Sequence, residues 1–317
     1  MICSNSAERL AFDICKRQTT AVIVTHNPSY GGFLELLNEL TRQVAFVIVV
    51  DNNSDPHTQD QIISCNNNNK VFVTALDVNI GVAAAQNVGI KLAAKNGSKY
   101  VAVFDHDSLP HPKMLLCLVK VAEAKAAQGF KVGSLGPRYV DRRLNNAPPF
   151  IRICGLQLER YTCSSTEDVV EVDYLISSGS LIPMSTLQQV GLMREDLFID
   201  YIDIEWGLRA KAKGFQSFGV CDAEMYHSLG EEPISFLGKK FPNHSPLRHY
   251  YHFRNAIHLY KESWVPLNWK LVDGWKLLQK FGFYSLFGKP RRDHFMMMSR
   301  GLLHGLLGKS GCIKSDG

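Results

Sequence analysis

The chain has 317 residues, of which 45% are hydrophobic and 21% charged, the balance of an ordinary globular protein long enough for one large domain or two. Its formal charge is +5, yet residues 236–317 hold 14 Lys+Arg against 4 Asp+Glu, so an acidic front precedes a basic back. The longest uncharged stretch, residues 174–193, is interrupted by Ser177, Ser178, Gly179, Ser180 and Pro183, which excludes a membrane-spanning helix there.

In chain order, residues 20–24 form a short β-branched run that leads into Thr25-His26-Asn27-Pro28 and a helical pattern at Phe33, Leu36, Leu37 and Leu40. Residues 44–50 end in Asp51-Asn52-Asn53-Ser54, and residues 71–76 lead through Asn79 and Gly81 into a helix reaching Ala94. A fourth apolar run, residues 100–104, ends in Asp105-His106-Asp107-Ser108. Continuous apolar strands alternating with helices over short loops predict parallel βαβ units covered on both faces, with ligands beyond the carboxyl ends of the strands. Further along, strands are expected over 150–158 and 169–183. A helix, a loop and a second helix starting near Asp203 are expected over 185–215, then an aromatic and basic helix over 245–262 and two amphipathic helices.

The eight cysteines show no Cys-x-x-Cys spacing and sit mostly among apolar neighbours, so they read as reduced thiols in a reducing compartment. With no secretory leader pattern at the N-terminus, a cytoplasmic location is expected.

Asp105 and Asp107 are the most informative pair. Side chains two apart on a strand share a side, so two carboxylates leaving a buried strand together suit a hard divalent cation carrying phosphate oxygens. An ordinary acidic turn is the alternative. No Gly-x-Gly-x-x-Gly follows the first strand, and Gly308-Lys309-Ser310 lacks the strand and first glycine of a P-loop, so neither nucleotide signature applies. A second acidic cluster spans residues 198–209. The helix dipole alone explains Glu205, but Asp200 and Asp203 stand among aromatic and apolar residues, where a carboxylate acquires a pKa suited to general-base work. His227 follows a predicted strand. It is either structural or the neutral imidazole that completes a divalent site begun by two carboxylates.

Taken together, Val24-Thr-His-Asn-Pro28, Val49-Val-Asp-Asn-Asn-Ser54, Asn79-Ile-Gly-Val-Ala-Ala-Ala-Gln-Asn-Val-Gly89, Phe104-Asp-His-Asp-Ser108, Ser177-Ser-Gly-Ser180, residues 200–209, His227-Ser-Leu-Gly230 and Tyr250-Tyr-His-Phe-Arg-Asn255 resemble glycosyltransferase family 2, in particular its O-antigen rhamnosyltransferase branch. The match runs in the family's order over roughly residues 18–310. The resemblance implies an α/β fold of the GT-A type, with a Rossmann-like, mainly parallel sheet flanked by helices. It divides the chain into an N-terminal extension (1–17), a catalytic domain (18–262) and a basic helical extension (263–317).

The resemblance also implies individual roles. Thr25, Asn27, Asp51 and Asn53 would line base and ribose, and Asn79, Gly81 and Asn87 would lie near the sugar nucleotide. Asp105 would approach the ribose and the metal, Asp107 and His227 would ligate Mg2+ or Mn2+, and Asp203 would be the catalytic base. Ser178, Gly179, Asp200, Glu205, Trp206, Arg209 and Arg254 would contact the acceptor or the donor sugar. Many members carry Glu-Asp before the helix where this chain has Ile202-Asp203, which leaves Asp203 in place and weakens Asp200 as an alternative base.

In the C-terminal part, Trp264, Leu267, Leu271, Trp275 and Leu278 fall on one helical stripe with Asp273, Lys276 and Lys280 opposite, and Phe295, Met298, Leu302 and Leu306 make another. Such stripes either pack on the catalytic domain or, given the excess of positive charge, lie on an anionic membrane surface. No nucleic-acid motif accompanies the basic residues. The activity that the family resemblance implies is inverting, metal-dependent transfer of L-rhamnose from dTDP-L-rhamnose to a lipid-linked oligosaccharide of O-antigen type, on the cytoplasmic face of the inner membrane. A UDP- or GDP-sugar donor, or a non-catalytic carbohydrate-binding scaffold, are the alternatives.

Overall fold

The computed structural model describes residues 6–67, 69–140, 148–227, 231–236 and 239–313, with side chains described over 9–226 and 244–313 within those ranges. The first half is a βαβ series: α1 (Ser6–Gln18), β1 (Thr19–Thr25), α2 (Tyr30–Gln43), β2 (Phe46–Asp51), α3 (Pro56–Ser64), β3 (Val71–Ala75), α4 (Val82–Lys95) and β4 (Tyr100–Asp105). β5 (Ser108–Pro110), α5 (Met114–Ala127), β6 (Val132–Val140), β7 (Phe150–Cys154), β8 (Gln157–Tyr161), β9 (Val169–Val172) and β10 (Ser180–Pro183) follow. The rest comprises α6 (Met184–Val190), α7 (Ile202–Ala212), β11 (Gln216–His227), β12 (Glu231–Phe236), β13 (Lys239–Asn243), α8 (Pro246–Lys261), α9 (Leu267–Phe287) and α10 (Arg291–Leu306).

The main sheet has the order β3-β2-β1-β4-β10-β6-β11-β5, with β9 on β11. β1 to β4 are parallel, as their unbroken apolar runs predict, and β10 enters antiparallel between β4 and β6. Alternate residues serve the two faces. Val22 and Val24 join one core cluster with α4, α7 and α8, while Ala21 and Ile23 join another with α2 and α5. α4 crosses β1 so closely that a methyl group at Gly89 would run into Val22, and this approach aims the start of α4 at the carboxyl end of β1. Trp269, Leu277 and Tyr284 of α9 and Met298 of α10 are buried in the same cluster as Val22. α10 approaches α8 through Gly301 and Gly305, whose added Cβ atoms would lie 2.5 Å from the Tyr250 carbonyl and 2.8 Å from that of Arg254.

Three sequence expectations change, and one left open is narrowed. Residues 150–158 are not one strand: Gly155, at φ 59°, turns the chain into the β7–β8 hairpin. Residues 169–183 are two strands, because β9 borders β11 while β10 serves β4 and β6, and the segment between them is free to enter the ligand cleft. Cys163 and Cys221, taken as reduced thiols, form a disulfide with Cα atoms 5.8 Å apart. They lie 58 residues apart in sequence, so spacing carried no sign of their proximity. The first stripe divides: Trp264 packs against the core while Leu267, Leu271, Trp275 and Leu278 are 54–69% exposed, and in the second Met298 is buried and Leu302 packs against the same cluster while Phe295 and Leu306 face outward. No described helix is long and apolar enough to cross a membrane.

Candidate active site

Parallel pairing sets the carboxyl ends of β1, β2 and β4 side by side, with Val24 opposite Asp105 and Thr25 opposite Asp51. Above them opens a cleft of about 600 Å³. Thr25, Asn79, Gly81, Asp105, Asp107, Ser178, Asp200 and Asp203 line it, so residues more than 170 positions apart meet as the sequence motifs require.

Asp51, Asn53, Asn27 and Asn87 are not among the lining residues, and the first three brace the strand ends beneath it. Asp51 is fully buried: it accepts from the Thr25 hydroxyl (2.9 Å), the Ser54 amide (3.0 Å) and hydroxyl (2.5 Å) and the Gln59 amide group (3.2 Å). Asn53 takes a left-handed conformation (φ 65°) that allows the Ser54 contacts, and the Asn27 side chain accepts from the Asp55 amide at 2.8 Å. Asn79 accepts from Asn52 Nδ2 and the Gly81 amide, each at 3.0 Å, which fixes the entry to α4. Asn87 lies outside the cleft. Its Nδ2 donates to the Met193 carbonyl and Glu195, its Oδ1 accepts from the Met193 amide, and the side chain is thereby spent on holding that loop.

Ser178 clamps the acidic turn, since its hydroxyl accepts from the Asp105 amide at 3.0 Å and meets the Ser108 hydroxyl at 2.5 Å. Gly179 serves the turn itself: its φ is +80°, and a Cβ would collide with Met225 and Pro137. β11 runs antiparallel to β5 with His227 opposite Ser108, so its backbone adjoins Asp107, while its side chain lies outside the described atoms. Among the described residues no three His, Cys, Asp or Glu side chains are grouped to hold a metal ion. The two carboxylates nonetheless have the hard oxygen chemistry that a divalent cation bridging to phosphate oxygens requires, and the fit is to a site shared with a ligand.

The second acidic segment is built on strain. Phe198, Asp200 and Tyr201 all have positive φ (66°, 64° and 63°), and the Asn255 Nδ2 donates to the carbonyls of Leu197, Ile199 and Asp200 at 2.8–3.0 Å. Arg254, expected at the sugar, is fully buried and donates instead to the carbonyls of Asp196, Leu197 and Gly311 and to Asn255. Glu205 and Arg209 are likewise structural. They form a two-pronged ion pair at 2.8 and 3.0 Å, and Arg209 also caps the carbonyls of Val190 and Leu192. The Trp206 indole donates to the Gly191 carbonyl, which turns the ring into the core. Asp203 does face the cleft from the first turn of α7. Burial, reinforced by the charges of Asp200 and Asp105, pushes its carboxyl up to about 6, although the Ile204 amide donates to it at 2.9 Å. Burial also raises Asp200, opposed by the Arg248 guanidinium, whose Nε donates to it at 3.2 Å.

Several cleft residues escaped the sequence reading. Gln86 is fully buried with neither amide atom bonded. His244, Arg248 and His252 line the cleft from one face of α8 and the turn before it, an i, i+4, i+8 spacing visible in the sequence but readable there as an ordinary basic helix face.

A mainly parallel sheet entered by an antiparallel strand, with carboxylates from β4 and α7 converging over its carboxyl edge, defines the GT-A class of glycosyltransferase fold. Solved structures agree at the level of fold. GalNAc-T7 crystallised with UDP, GalNAc and Mn2+ has a TM-score of 0.60 at 13% identity over 95% of this chain, which spans 63% of that larger one. S. aureus TarS 1-349 in complex with UDP-GlcNAc has a TM-score of 0.56 at 16% identity, covering 91% of this chain and 81% of that one. The chain belongs to glycosyltransferase family 2. Residues 20–169 match that family, and the dTDP-rhamnosyl transferase RfbF of Shigella flexneri is 34% identical over 252 residues, covering 78% of this chain and 81% of RfbF.

Proposed function

We propose that the enzyme moves L-rhamnose from dTDP-L-rhamnose to a hydroxyl of a lipid-linked polysaccharide acceptor, with inversion at the anomeric carbon and with the help of Mg2+ or Mn2+. The observation that carries the chemistry is the convergence of Asp105, Asp107 and Asp203 on one cleft. The donor assignment is supported by the likeness to RfbF.

Asp203 is the group suited to accept a proton from the attacking hydroxyl: its raised carboxyl is a stronger base than a free aspartate, yet ionised at neutral pH. Asp105 and Asp107, with His227 beside them in the strand pairing, would hold the cation, which when bound supplies Lewis-acid stabilisation of the departing diphosphate. The Ser178 clamp keeps the Asp105–Ser108 turn in place for that task. Thr25 and Asn79 line the nucleotide end of the cleft, and the start of α4 at Gly81 abuts Phe198, joining the donor side to the base. Because one displacement suffices, no covalent nucleophile is required. The exposed stripe of α9 and the basic C-terminal part would rest on the cytoplasmic face of the inner membrane.

The test is a panel of dTDP-, UDP- and GDP-sugars with lipid-linked acceptors, with and without EDTA. Turnover is expected with dTDP-L-rhamnose alone and should vanish on chelation and return with Mg2+ or Mn2+. Transfer from a UDP- or GDP-sugar but not from dTDP-rhamnose would overturn the donor, and undiminished transfer in EDTA would remove the cation.

A further inference from the structure

One wall of the cleft is basic and has no part in the chemistry above. Arg248 reaches in from α8 with its side chain 42% exposed and bonds Asp200 at 3.2 and 3.3 Å, long distances for a charged pair. Lys280 arrives from α9, and its Nζ donates to His252 Nε2 at 2.8 Å. Among the described residues no carboxylate lies within ion-pair distance of that ammonium group. Asp273, two turns back on α9, is occupied by the hydroxyls of Tyr201 and Tyr260 at 2.8 and 2.6 Å. The His252 ring stands 4.8 Å from that of Tyr201, which locks it beside the acidic turn. Burial and the charges of Lys280 and Arg248 keep His244 and His252 neutral, His244 down to about 4. Lys280 stands exposed beside the cleft, within the field of Asp273 and Asp200, and the hydrogen-bond partner of its ammonium group is a neutral imidazole, which leaves two of its three donors to offer a ligand.

We propose that Arg248, Lys280 and His252 form a subsite for a phosphate group carried by the acceptor substrate. The assignment to the acceptor rests on the reading of Asp203 as the acceptor's base. Arg248 is tied to Asp200, three residues before Asp203, whereas the donor's diphosphate belongs to the carboxylate turn between β4 and β5. Planar guanidinium and ammonium groups on two different helices match the spread oxygens of a phosphate ester, and His252 can give or take a hydrogen bond as the ester requires.

The test uses the full chain saturated with dTDP and Mg2+, titrated with phenyl phosphate and followed by calorimetry. Binding beside dTDP is expected. Arg248→Gln and Lys280→Gln should each weaken it at least tenfold, Arg248→Lys should restore part of it, and dTDP affinity should hold in all three. In transfer assays the same two neutral variants should raise the acceptor KM with little change in kcat. Competition between phenyl phosphate and dTDP, or phenyl phosphate affinity that neither neutral variant lowers, would overturn the subsite. Wild-type protein that binds phenyl phosphate beside dTDP but transfers no sugar would sink the proposed function and leave the anion site standing.

Discussion

In the proposed role of base, Asp203 would trade stability for reactivity. Its folded pKa, about 6, stands above the free value of 3.8, so the fold favours the protonated form. Stability from this group is therefore complete below about pH 4 and is lost as the pH rises through about 6. Asp203→Asn removes the ionisable group at little cost in shape. It should stabilise the protein at pH 7.5 by on the order of 1–3 kcal/mol, a gain that shrinks toward pH 4, while transfer falls by roughly 10²–10⁴-fold. In the wild type kcat/KM should climb with pH and level off above an inflection near 6, displaced downward where a cation on Asp105 offsets that neighbouring charge. Thermal melts at pH 4.5 and 7.5 with a rate profile check both halves; an equal gain in melting temperature at the two pH values would show that burial is not what raises the carboxyl.

At the scale of elements, the turn from Phe198 to Tyr201 holds three non-glycine residues at positive φ, each costing on the order of 1 kcal/mol or more, and α8 sustains it through Asn255. Asn255→Ala takes a donor from the carbonyls of Leu197, Ile199 and Asp200, of which Leu197 keeps Arg254. It should destabilise the protein by roughly 2–4 kcal/mol and lower kcat more than dTDP affinity, because it loosens the segment carrying Asp203 while β1 to β4 stay in place. Denaturant melts and dTDP titration read the two effects separately, and unchanged kcat would release the turn from any role in positioning.

This division also explains what the sequence disclosed. β1 to β4 and the carboxylates at their ends were legible because a buried parallel strand is an unbroken apolar run and its end is marked by polar residues. Asn87, Glu205, Arg209 and Arg254 read as ligand contacts, whereas in the fold they bond backbone groups and one another: a polar side chain near a motif reads alike whether it reaches a substrate or a backbone carbonyl. The basic wall was hidden because its members lie on two helices, and only the packing of α8 and α9 brings Lys280 to His252.

At the scale of the whole molecule, α9 has two faces with different work. Asp273 turns inward to Tyr201 and Lys280 reaches across to His252, while Leu267, Leu271, Trp275 and Leu278 turn outward at 54–69% exposure. Lys289, Arg291, Arg292 and Lys309 are exposed in the same C-terminal part, within a segment of +10. An exposed apolar face in a part of the chain this rich in cations complements an anionic bilayer better than an acidic protein, since a tryptophan and three leucines gain by entering the interface and each cation that reaches the surface adds about 1 kcal/mol. Trp275→Ala with Leu278→Ala should cut partition onto vesicles containing phosphatidylglycerol by roughly tenfold or more without lowering the melting temperature, because neither side chain is part of the core. High salt should weaken wild-type binding, and neutral phosphatidylcholine vesicles should bind it poorly. Cosedimentation measures all three, and equal partition of the double variant and the wild type would mean that this face does not meet the bilayer.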